Sequence, residues 1–92
     1  MKTAEIIVTD PVGLHARPAA QFVKLANEFT SDISIRNLSD SGDWVNAKSI
    51  LSMLIAAVKQ NDQIEIRAVG ADEQAAVEKL SALVNSGFPT VQ

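Results

Sequence analysis

The 92-residue chain has no cysteine and only one histidine. Without thiols it can form neither disulfides nor cysteine zinc sites, and it has no thiolate nucleophile. A single histidine provides no metal cluster either, so no metal and no other cofactor is expected. Aromatic side chains are 4% of the residues, too few for a base-stacking platform, and the formal net charge of −3 has the wrong sign for a dedicated nucleic-acid binder. No stretch approaches the ~18 apolar residues of a membrane span, and the opening Met1-Lys2-Thr3-Ala4-Glu5 lacks a signal-peptide pattern. A cytoplasmic chain with no nucleic-acid partner and no membrane insertion is therefore expected. Also missing are a nucleotide phosphate loop, carboxylates paired for acid–base chemistry, internal repeats and low-complexity linkers.

What is present is enough apolar material, 47% of the residues, for one compact domain with a single core. Residues 2 to 8 alternate, with Ala4, Ile6 and Val8 on one side, which predicts a half-buried first strand ended by Asp10-Pro11-Val12-Gly13. Phe22, Val23, Ala26 and Phe29 recur at helical spacing and predict a helix over residues 16 to 28. Pro18 falls in its first turn, where a missing N–H is no loss. Ile33 and Ile35 predict a second strand, Asn37 to Gly42 a polar hairpin connection, and Asp43 to Asn46 a short third strand. Ser49 is suited to cap a short second helix beginning at Ile50. Ile64, Ile66 and Ala68 predict a fourth strand. Ala76, Val77, Leu80, Leu83 and Val84 form the apolar stripe of a last helix, introduced by Gly70-Ala71-Asp72-Glu73, whose acidic pair suits a helix N-terminus. Gly87 and Pro89 stop that helix, with fraying from residue 88, so residues 1–88 read as one domain and 89–92 as a frayed tail. The order β-α-β-β-α-β-α, with one polar face per strand, predicts an α+β open-faced sandwich: a four-stranded antiparallel sheet with three helices on its apolar face.

The lone histidine stands in Gly13-Leu14-His15-Ala16-Arg17-Pro18, where the first helix should begin. The first turn of a helix has backbone N–H groups without intrahelical partners and concentrates partial positive charge, which suits an anion such as phosphate. An imidazole at that edge can attack a phosphoryl group, and the same positive charge disfavours its cationic form and keeps a lone pair available. The amides around Ala16 and Arg17 and the planar Arg17 guanidinium can hold the phosphoryl oxygens, while Gly13 permits close approach of backbone to a ligand. These residue types in this order suit a reversible phosphate relay on His15.

The run Gly13-Leu14-His15-Ala16-Arg17-Pro18-Ala19-Ala20 resembles the active-site signature of HPr, the histidine-containing phosphocarrier family of the bacterial phosphoenolpyruvate-dependent sugar phosphotransferase system. Asn46-Ala47-Lys48-Ser49-Ile50-Leu51 resembles that family's serine signature, and element order and length agree from end to end. The resemblance implies that His15 accepts a phosphoryl group on Nδ1 from phospho-enzyme I and passes it to the A component of a sugar permease, with Arg17 as its electrostatic partner. Such a chain is a carrier with a transient phosphohistidine and not a complete enzyme. The resemblance also implies that Ser49 is the serine a dedicated kinase phosphorylates in many Gram-positive members. It places Ile50, Leu51 and Leu54 where the family keeps its apolar docking patch, with a serine kinase/phosphorylase and a transcriptional regulator as further partners. Lys24, Lys48 and Arg36 are candidates for a positive docking rim, Lys48 first because it stands beside Ser49. A phosphate on Ser49 is expected to favour the second helix and to weaken docking.

Some features depart from the family pattern. Leu38-Ser39-Asp40-Ser41-Gly42-Asp43 reads as an insertion, Ala57 and Asn61 stand where glycines are common, and Trp44, unusual in the third strand, is expected to cover an edge of the core. Three other readings stay open: a regulatory docking module of the same fold switched at Ser49, a carrier in a nitrogen-related or dihydroxyacetone-kinase relay, and a generic sandwich that binds a small molecule. A monomer is expected, since no large surplus apolar surface is evident.

Overall fold

The structure, a computed structural model, describes residues 1–9, 13–14, 16–40 and 42–88. His15, the break at Asp10, Pro11 and Val12, Ser41 in the 38–43 connection and the tail from Pro89 lie outside the described residues. The elements follow the expected order: β1 (Lys2–Ile7), α1 (Ala16–Ala26), β2 (Asp32–Asn37), β3 (Val45–Asn46), α2 (Ile50–Ile55), β4 (Gln63–Val69) and α3 (Glu73–Asn85).

The strands form one antiparallel sheet in the order β1-β4-β2-β3. Because strand side chains alternate, the register brings the inward residues into rows: Ile6 faces Ile64, Ala4 faces Ile66, and Ile66 faces Ile35 on its other side. These side chains pack against Ala19, Phe22 and Ala26 of α1, Met53 of α2 and Ala76, Leu80 and Val84 of α3 in a single apolar cluster. The helices thus cover one face of the sheet, and the other stays open. No helix among the described residues is long and apolar enough to cross a membrane.

Helix α1 ends two residues earlier than its periodicity predicts, because Glu28 and Phe29 donate to the carbonyls of Leu25 and Ala26, three residues back, and tighten the last turn. Only Val45 and Asn46 of the expected third strand pair with β2. Trp44 does not cover a core edge. Its neighbour Val45 opposes the buried Ile35, so Trp44 points to the open face, where its ring lies 4.7 Å from the guanidinium carbon of Arg36 and 4.1 Å from that of Arg67.

Two further expectations are corrected. The chain does not fray at residue 88: Gly87 takes a positive φ of 79°, its N–H donates to Val84, and the Phe88 N–H reaches back to Leu83, which closes a Schellman motif and buries the Phe88 ring to 1% exposure. Asp72 does not cap α3 with its side chain. Its carboxylate turns to the α1–β2 connection, accepting from the backbone N–H groups of Thr30 and Ser31, both at 2.9 Å, and from the Ser31 hydroxyl. These donors hold the Asp72 carboxyl down at about 2, well below its ordinary 3.8. Glu73 does serve the helix start, accepting from the Gly70 N–H at 3.2 Å and pairing with the Met1 ammonium at 2.7 Å.

Candidate functional site

The segment before α1 is fixed by its neighbours. Gly13 has a φ of 63°, and a Cβ there would lie 2.3 Å from the Val58 carbonyl oxygen. Leu14 is buried, and its N–H donates to that same carbonyl at 3.1 Å. The close approach that Gly13 permits is therefore to the chain's own backbone after α2, not to a ligand. Helix α1 opens at Ala16 and Arg17, both exposed. The first-turn amides of α1 point out of that end of the helix.

The Arg17 guanidinium is steadied from the far end of the chain: its Nη1 donates to the Phe88 carbonyl at 2.9 Å. The buried ring and left-handed backbone of Phe88 hold that carbonyl in place. The sequence has no signal for this contact, which joins residues 71 apart.

Ser49 caps α2 as expected. It has extended backbone angles, and its hydroxyl accepts from the Ser52 N–H at 3.3 Å. Only Met53 of α2 is buried, whereas Ile50, Leu51 and Leu54 are 46%, 69% and 41% exposed. They form an apolar ridge, and Ile55, 67% exposed, extends it. Sequence reasoning left Ile55 out, although its spacing of four from Leu51 places both on one helix face.

The basic rim is less coherent than expected. Arg36 is corrected: it sits on the open face of the sheet, bound to Glu65 through Nε at 2.7 Å and Nη2 at 2.6 Å, on the opposite side from α2. Lys48 is half-buried and donates its ammonium to the Phe29 carbonyl at 2.7 Å. Lys24 is exposed in the last turn of α1, away from its head. A polar depression of about 180 Å³ is lined by Asn37, Ser39, Asp40, Ala57, Lys59 and Asp62, and the side chains of Asn37, Ser39 and Asp62 are hydrogen-bonded within the chain. Asp62 accepts from Lys59 N–H and Asn37 Nδ2, and these bonds lower its carboxyl below the ordinary value. No group of potential metal ligands occurs among the described residues.

These residues stand on a small open-faced α+β sandwich with an exposed apolar ridge on its second helix. The family model described as the PTS HPr component phosphorylation site matches residues 2–86. The chain is 42% identical over 84 residues to the phosphocarrier protein HPr of Mycoplasma pneumoniae, covering 91% of this chain and 93% of that one. It is 50% identical over 72 residues to the HPr-like protein Crh of Bacillus subtilis, covering 78% and 81%. Its fold superposes on the crystal structure of HPr-C-His from Thermoanaerobacter tengcongensis with a TM-score of 0.91 at 37% identity, covering all of both chains. The chain belongs to the HPr phosphocarrier family of the phosphotransferase system.

Proposed function

We propose that this chain carries a phosphoryl group on His15, received from phospho-enzyme I and passed to the A components of sugar permeases. The observation that carries the reading is the position of His15, directly before the first residue of α1 and two before Arg17, in a chain whose family is defined by a phosphorylation site. The step is a displacement at phosphorus: the Nδ1 lone pair of the neutral imidazole forms the new P–N bond while the bond from phosphorus to the donor breaks. The proton on Nε2 stays, so the ring shares positive charge with the phosphoryl dianion. The first-turn amides at Ala16 and Arg17 and the Arg17 guanidinium then face that dianion, while its exposure keeps it transferable. The partners supply most of the transition-state environment, and the carrier supplies position and charge.

In this reading the α2 ridge of Ile50, Leu51, Leu54 and Ile55 docks the partners, and Ser49 is the regulatory acceptor for a serine kinase. A phosphate there lies at a helix start beside the ridge, favouring the helix and disfavouring apolar docking. The protein acts as a cytoplasmic monomer. A regulatory docking module is the second reading, favoured by the Ser49 cap and by the likeness to Crh. One experiment separates the two. Incubated with phosphoenolpyruvate and enzyme I, the carrier gains one acid-labile phosphate by intact mass and His15→Ala gains none. Phosphorylation confined to Ser49, from a nucleotide-dependent kinase, establishes the module instead.

A further inference from the structure

Resting on the carrier reading, we infer that Asn27 and Lys48 form a clasp that fixes how α2 presents its apolar ridge relative to the head of α1. Lys48 is then a positioning residue for donor docking and not a charge offered to the donor.

Helix α2 has six residues and buries only Met53, so neither its own hydrogen bonds nor its packing make it rigid alone. Its approach is set by what holds the residues before Ser49. There, donors cross in both directions between the end of α1 and residue 48. The Lys48 ammonium donates to the Phe29 carbonyl at 2.7 Å, and Asn27 Nδ2 donates to the Lys48 carbonyl at 3.3 Å and to the Val23 carbonyl at 2.9 Å. The carbonyl that accepts from the ammonium lies in the connection three residues past the last residue of α1. The Lys48 N–H is occupied as well, donating to Asn46 Oδ1 at 2.9 Å. The bond to the Phe29 carbonyl at 2.7 Å holds the half-buried Lys48 ammonium against the α1–β2 connection, so a partner that drew it outward would give up that bond. The helix that opens with Ala16 and Arg17 and the helix that carries the ridge are thereby tied into one body, and a docking partner meets both in a fixed relation.

The test uses the full chain as substrate of enzyme I with phosphoenolpyruvate. For Lys48→Met, KM for the carrier rises roughly three- to tenfold with kcat unchanged. That loss persists at about 1 M salt, where the Debye length is ~3 Å and exposed charge pairs are screened. Lys48→Arg, which keeps a donor for the Phe29 carbonyl, restores most of the affinity. Asn27→Ala, at an exposed position, shifts KM in the same direction by less. A KM loss that vanishes in high salt, or an Asn27→Ala variant identical to wild type, overturns the clasp. Should Lys48→Met fail to fold, Asn27→Ala and Lys48→Arg decide. Wild-type protein that takes no phosphate on His15 ends the carrier reading alone. Faster amide exchange across residues 50–55 in Asn27→Ala still reports the clasp, and unchanged exchange removes it.

Discussion

Gly13 and Ala57 both sit in the left-handed region, at φ 63° and 52°, and only one of them is the residue that this conformation favours. At Gly13 the missing side chain is required twice, by the backbone angle and by the Val58 carbonyl that a Cβ would strike at 2.3 Å. Gly13→Ala is therefore expected to cost about 2–4 kcal/mol, the sum of left-handed strain and a backbone clash that no rotamer relieves. A urea titration showing a loss below about 1 kcal/mol, the left-handed strain alone, means that the connection shifts to make room. Ala57 is the reverse case: it is exposed just after α2 and bears the strain without any packing to offset it. Ala57→Gly is expected to gain about 0.5–1 kcal/mol, the relieved strain less the extra freedom of glycine in the unfolded chain. In a domain of this size that raises the melting temperature by roughly 2–8 °C, and a lowered melting temperature refutes the account. Arg17 is exposed, so Arg17→Ala leaves a cooperative melt but slows phosphoryl transfer by about tenfold or more, because one charged donor leaves the site.

Elements differ in how openly they declare themselves. Strands β1, β2 and β4 show a period of two, and α1 and α3 show apolar stripes at 3.6, so element order and sheet face are legible before any coordinates are seen, whereas the two-residue β3 is too short to show a period. The site signature is legible as well, since Gly13, His15, Arg17 and Pro18 fall within one run of six residues. What escapes reading is long-range. A phenylalanine between Gly87 and Pro89 looks like the start of a tail, yet the Schellman motif turns it inward, and its carbonyl meets Arg17 from the other end of the chain. Asp72 obeys a local rule for helix starts until three donors from another connection compete for its oxygens. Trp44 was readable in principle, because alternation from Val45 places it on the open face. The C-terminal motif also carries a prediction. Phe88→Ala loses a fully buried ring at about 3 kcal/mol and frees the carbonyl that steadies Arg17, so transfer slows as well. Gly87→Ala, where a Cβ meets nothing within 4 Å, costs about 1 kcal/mol of backbone strain and leaves the ring in place. Transfer that is slowed equally in both variants separates Arg17 from the Phe88 anchor.

At the scale of the whole molecule, the folded state depends on carboxylates that must stay ionised. Asp72 ties α3 to the connection between α1 and β2 through Thr30 and Ser31, and its carboxyl is held at about 2 against an ordinary 3.8. Asp62 and Glu73 are lowered too, the first mainly by the Lys59 N–H and the second mainly by the Met1 ammonium. A group whose pKa is depressed on folding contributes stability above its unfolded value and loses it as the pH falls toward the folded one. For Asp72 that window runs from about pH 4 down to about pH 2, so the urea midpoint of the wild type falls across it. Asp72→Asn keeps the shape but gives up ionisation, and its amide places a donor where one of the backbone N–H groups or the Ser31 hydroxyl needs an acceptor. The variant is therefore less stable at neutral pH, and the gap to wild type closes progressively between pH 4 and pH 2, a range set by the two pKa values of this one group. A gap that stays constant from pH 7 to pH 2 means that Asp72 acts through hydrogen-bond geometry alone, and the acid sensitivity of the fold then belongs to Asp62 and Glu73.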